Sequence, residues 1–69
     1  MVDVITHRQL AILQLVAKHP NIDRERLMTA SGATTADLAY LELHDMLRER
    51  EVGHYRVSHF GEMVLKRGL

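Results

Sequence analysis

Apolar residues recur at helical spacing from Leu10 onwards: Leu10, Leu13, Val16 and Ala17 share one side, and Ile12 widens the stripe. Thr6 is placed to cap that helix, and Gln9, three residues on, completes a capping box. Ile5 and Leu10 stand at the two positions of a hydrophobic staple. Lys18 and His19 suit the negative C-terminal end, and Pro20 stops the helix. A shorter helix follows, capped by Asn21 or Asp23, with Leu27 and Met28 on its apolar side and Ile22 entering the core just ahead of it. Ser31-Gly32 breaks it, because Gly32 tolerates the left-handed backbone of a tight helix-to-helix turn. Thr34 or Thr35 caps a third helix, expected to run to about Arg50.

Beyond that point the period changes. Val52, then Gly53-His54, then Tyr55-Arg56-Val57 predict two very short strands about a turn. Ser58 can cap a last short helix carrying Phe60, Met63, Val64 and Leu65, with Gly68 as its stop. No repeat, low-complexity tract or linker interrupts the pattern. Residues 1–69 are therefore expected to form one mostly α domain: three helices, a minimal β-hairpin and a short C-terminal helix.

The third helix admits two registers. At about 100° per residue, Ala36, Ala39, Tyr40, Leu43, Met46 and Leu47 fall within an arc roughly 120° wide. With that set as core, Leu38 and Leu41 project from the other side, among Asp37, His44, Asp45 and Arg48. In the second register Leu38 and Leu41 are core, and Thr34, Thr35, Ala36, Ala39, Tyr40 and Leu43 are presented. The first buries more apolar surface and is the expected one.

Charge changes the picture. The formal net charge is zero, but residues 27–47 hold no lysine or arginine against Asp37, Glu42 and Asp45. Residues 48–69 hold Arg48, Arg50, Arg56, Lys66 and Arg67 against Glu49, Glu51 and Glu62, a mild basic excess. A nucleic-acid binder is usually basic on its docking face, because phosphate contacts dominate affinity.

Length and composition set outer bounds. A chain of 69 residues buries only about 60% of its unfolded surface, so its stability margin is thin. The absence of cysteine excludes a disulfide framework, a thiolate metal site and a cysteine nucleophile. No apolar run approaches the ~20 residues of a membrane span, and MVDVITHR lacks a basic segment followed by an apolar core. A cytoplasmic location is the expectation. The five histidines, His7, His19, His44, His54 and His59, include no pair at a helical ligand spacing, so they read as surface residues. No nucleophile–base pair, phosphate-cradling glycine loop or paired carboxylate stands out, and neither an enzyme nor a cofactor is expected.

Several segments, in their order, resemble the winged helix-turn-helix superfamily. Ile5-Thr6-His7-Arg8-Gln9 is similar to the opening of LexA-type N-terminal domains. Ala30-Ser31-Gly32-Ala33-Thr34 is similar to the turn of many helix-turn-helix proteins. Leu47-Arg48-Glu49-Arg50-Glu51-Val52 resembles the end of the recognition helix in MarR-like regulators, with Glu51 where that pattern has glycine. Tyr55-Arg56-Val57-Ser58-His59-Phe60-Gly61 is similar to the segment that closes the wing and starts the next helix. The wing departs from the family: Val52 to Tyr55 leaves room only for Gly53-His54, too short a tip to enter a minor groove.

The resemblance implies a small DNA-binding transcriptional regulator, expected to be dimeric. Double-stranded DNA would be contacted by Thr34, Thr35 and Tyr40 on helix three, with Arg24, Arg26, Arg48, Arg50 and Arg56 on phosphates. Size alone would suit a phage or mobile-element protein. The other reading is a winged-helix inhibitor or adaptor that binds protein instead, through Asp37, Leu38, Leu41, His44 and Asp45. In either case, paired arginines on solvated helix ends are the plain alternative to phosphate clamps.

Overall fold

The computed structural model describes residues 5–67. The Thr6 hydroxyl accepts from the Gln9 backbone N–H at 3.1 Å, and the Gln9 side chain accepts from the Thr6 N–H at 3.0 Å. That reciprocal cap starts α1 (His7–Lys18), which buries Gln9, Ile12, Leu13 and Val16. Ala17, expected on this face, is exposed.

Pro20 and Asn21 then turn the chain into β1 (Ile22–Asp23). Two residues are too few to show strand alternation, so the sequence pattern carries no sign of this strand. Asp23, the second of the two candidate caps, accepts from the Arg26 N–H at 2.7 Å and starts α2 (Arg24–Ser31). Gly32 ends α2 at φ 73°, and Thr34 caps α3 (Thr35–Leu43).

The third helix stops seven residues earlier than the expected Arg50. The Met46 N–H donates to the Leu41 carbonyl at 2.9 Å and the Asp45 N–H to the Glu42 carbonyl at 3.1 Å. These are the two bonds of a Schellman stop, with Asp45 at φ 59° in the left-handed position that glycine usually holds. Aspartate tolerates that conformation better than most side chains. Without a glycine to mark it, the stop is hard to read from sequence. Leu41 and Met46, which flank the stop, are both fully buried.

Leu47–Glu51 is consequently β2, and His54–Val57 is β3. The segment that resembles the end of a recognition helix is a strand of the wing. The sheet order is β1-β3-β2, antiparallel throughout, with Ile22 opposite Tyr55 and Leu47 opposite Val57. A bulge lies between Glu49 and Glu51, and the turn is Val52-Gly53, one residue before the expected position. The Glu49 carboxylate accepts from the Gly53 N–H at 2.5 Å and closes that turn.

The early end of α3 reverses its register. Leu38 is 1% exposed, Leu41 0% and Leu43 81%. Met46 and Leu47 are core, as the expected register required, but they arrive there from the stop and the strand. Removed from the helical arc, they no longer favour burying Ala36 and Ala39, and the second register holds. The core joins Ile5, Ile12, Leu13, Val16, Leu27, Leu38, Leu41, Met46, Leu47 and Tyr55.

Ser58 ties α4 (His59–Arg67) to the α3 stop. Its hydroxyl donates to the Asp45 carbonyl and accepts from the Gly61 N–H at 3.0 Å, while its N–H donates to the Met46 carbonyl at 3.1 Å. A Cβ at Gly61 would overlap the Met46 carbonyl oxygen and the Val57 side chain, so this approach requires glycine. Val64 and Leu65 pack on the core, whereas Phe60 and Met63 stay exposed. Gly68, expected to stop this helix, lies outside the described residues.

Candidate nucleic-acid interface

Of the acidic residues in and just after α3, Asp37 is turned inward, Glu42 is half-buried beside Thr35, and Asp45 lies beyond the helix end. Asp37 is buried, held by Arg8 Nε at 2.8 Å, Gln9 Nε2 at 3.2 Å and the Thr34 N–H at 3.1 Å. Its own N–H returns to the Thr34 hydroxyl at 3.1 Å, so Asp37 both caps α3 and fastens it to α1. Burial pushes the Asp37 carboxyl up. The Thr34 N–H, Arg8, Gln9 and the Thr34 hydroxyl outweigh it and hold the group below its usual value. Asp45 is exposed and pairs with Arg48 at 3.2 Å.

A folded-state pKa below the unfolded one stabilises the protein fully above the unfolded value near 3.9, and that contribution disappears as pH falls through the folded value. Asp37→Asn should therefore lower stability at pH 7 by about 2 kcal/mol. It should also flatten the acid limb of the stability curve below about pH 4, which thermal melts at several pH values would measure.

Arg24 joins the helix-turn-helix to the wing. Its Nε and Nη2 donate to the Tyr55 hydroxyl at 3.0 and 2.8 Å, and its backbone N–H donates to the Gly53 carbonyl at 2.8 Å. The Tyr55 hydrogen bond, then its charge, raises the Arg24 pKa, and Glu49 and Glu42 add to the attraction. Burial raises the Tyr55 pKa, while Arg24 pulls it the other way. At the other end of β1, the His54 ring hydrogen-bonds the Asn21 carbonyl at 2.9 Å and the Asn21 N–H donates to the Tyr55 carbonyl at 3.0 Å. The wing is short, but both ends of β1 fasten it along its β3 edge.

With Asp37, Leu38 and Leu41 inward, α3 presents Thr35, Ala36, Ala39 and Leu43, with half-buried Tyr40 at the margin. The Tyr40 ring lies 4.3 Å from the His44 imidazole, centre to centre. Thr34 spends its hydroxyl on the cap. On the wing, Arg48 and Arg56 are direct cross-strand partners. Arg50 and Arg56 share a small polar hollow of about 340 Å³ with Asn21 and Glu51. Arg26 stands apart, on an open hollow of about 940 Å³ between the end of α1 and α2.

The structure thus brings Arg48, Arg50 and Arg56 together on the wing and gives Arg24 a bonded role at its tip. It removes Leu38, Leu41 and Asp37 from any partner surface by burying them, and leaves His44 and Asp45 exposed. Leu43, expected in the core, is the large apolar residue that α3 exposes most. The signal for it was the His44-Asp45 pair just beyond, which ends the helix.

Two helices joined by a tight turn, with a three-stranded sheet whose β2–β3 hairpin flanks the second helix, define a winged helix-turn-helix. A solved structure of the multiple antibiotic-resistance repressor (MarR) from Listeria monocytogenes 4b F2365 has the same fold. The two align with a TM-score of 0.83 at 22% identity, over 91% of this chain and 48% of that one. The chain thus spans about half the length of that repressor. No family model and no curated protein matches the sequence. At this identity the likeness establishes the fold, a MarR-like winged helix.

Proposed function

We propose that residues 1–69 form a single DNA-binding domain of a non-catalytic transcriptional regulator, working in the cytoplasm and presenting α3 to duplex DNA. One observation carries this reading. Two of the three acids that argued against DNA are accounted for: Asp37 is buried on Arg8, and Asp45, beyond the end of α3, is paired with Arg48, which leaves half-buried Glu42 at the border of the presented face. The centre of the presented face, Ala36, Ala39 and Leu43, is neutral, and the wing carries Arg48, Arg50 and Arg56. The fold of a named repressor supports the same class.

Thr35 and Tyr40 are the side chains on α3 suited to phosphate oxygens, and Arg50 and Arg56 are the wing arginines that form no ion pair among the described residues. Arg24 contributes by holding the wing. Among the described residues no helix is long and apolar enough to cross a membrane.

The adaptor reading loses its original surface, because Leu38 and Leu41 are core. The homodimer expectation moves with it, to α4, where Phe60 and Met63 lie one turn apart and exposed. Sedimentation at micromolar concentration should show a dimer that Met63→Glu dissociates without unfolding.

A titration of random duplex DNA at rising salt tests the main reading. Neutralising about three phosphates gives a log–log salt slope of roughly −3. Arg56→Ala should weaken binding and make that slope shallower by about 0.9, without altering sequence preference. Absence of binding to any duplex at low ionic strength would refute it.

A further inference from the structure

We propose that α3 reads its site through thymine methyl groups rather than through hydrogen bonds to base edges. The inference deepens the DNA-binding reading and rests on it. Ala36, Ala39 and Leu43 stand about 40–100° from Thr35 around the helix axis, at the centre of the presented face. All four residues are exposed, and the core residues Asp37, Leu38 and Leu41 point the opposite way.

Between Thr35 and Ala36 that face has none of the side chains that pair with base edges, and the half-buried Glu42 stands at its border beside Thr35. Arg and Lys read guanine, Asn and Gln read adenine, Asp and Glu accept from cytosine. Only the 5-methyl group of thymine is recognised by apolar contact, and alanine, the threonine methyl and larger apolar groups make it. The sizes suit the task. Ala36 and Ala39 let the first two turns approach the floor of a major groove, and Leu43 carries apolar surface outward at the end of the helix.

The wing cannot supply the missing specificity. Its tip is Val52-Gly53, with Val52 95% exposed, and the neighbouring arginines lie along the strands, suited to sequence-blind phosphate contact. The same exposed leucine on a protein-binding helix would want an apolar rim. Here its neighbours on the face are two alanines and a threonine, a narrow strip better matched to isolated methyl groups.

The test is selection from a random duplex library, followed by synthesis of each enriched duplex with thymidine or with deoxyuridine, which lacks only the methyl. Enriched sites should carry thymines at fixed positions, and each contacted methyl removed should weaken binding about fourfold. Leu43→Ala should keep the wild-type melting temperature and shrink that penalty at one thymine position. Equal affinity for thymidine and deoxyuridine duplexes, enrichment of thymine-free sites, or binding with no enrichment would overturn the inference while leaving DNA binding intact. No binding to any library member would instead overturn the DNA-binding reading beneath it.

Discussion

Leu41→Asp should leave the protein unfolded at 25 °C. Leu41 is fully buried among Leu38, Met46, Leu47 and the leucines of α1 and α2, and among the described residues no buried side-chain polar atom lacks a partner. A carboxylate placed there has no cation to meet. It must either ionise in an apolar environment or protonate, and the enclosed position adds lost packing to that penalty. A cost above about 4 kcal/mol is expected, against a core that supplies roughly 3–4 kcal/mol in a domain this small. Circular dichroism should show lost helix and no cooperative melt. A folded Leu41→Asp protein would mean that α3 is turned about its axis, with the leucine outward.

The second large effect separates two leucines only four residues apart. Leu47→Ala removes a buried side chain from the first position of β2, where it sits opposite Val57, and should cost about 2–5 kcal/mol. Leu43→Ala makes the same chemical change at a position 81% exposed and should stay within about 0.5 kcal/mol of wild type. Urea melts of the pair measure the difference directly. Equal costs would contradict the placement of the helix end between them.

That helix end also decides how much of the molecule was legible beforehand. Thr6, Gln9 and Ser31-Gly32 are local signals satisfied by partners within a few residues, Pro20 stops α1 by its own ring, and Ser58 caps α4 through the Gly61 N–H; the elements they bound lie where the pattern places them. The end of α3 is a different case. Leu47-Arg48-Glu49-Arg50-Glu51 is rich in good helix formers, so propensity extends the helix through it. Pairing with Tyr55 and Val57 across the hairpin outweighs that preference, and propensity read along the segment alone does not contain it.

The candidate site inherits the same limitation. Arg50 and Arg56 were visible as exposed basic residues near the hairpin, and their convergence followed from the wing. The ion pair of Arg8 with Asp37 spans α1 and α3, 29 residues apart, and no periodicity shows it. Its consequence was the larger surprise: an acidic residue that counted against DNA binding is a buried cap. Leu43 moved the other way, from expected core to the middle of the presented face.

The central claim is that the exposed side of α3 is the surface that meets DNA. Leu43→Glu tests it most directly, because it places one negative charge on that face at a site where the fold has no stake. Fluorescence anisotropy with labelled random duplex at low ionic strength, beside a thermal melt, gives both readouts. The expected result is a wild-type melting temperature with DNA binding lost or weakened by at least about tenfold, from charge repulsion at the phosphates. A folded Leu43→Glu protein that binds duplex as tightly as wild type would contradict the claim.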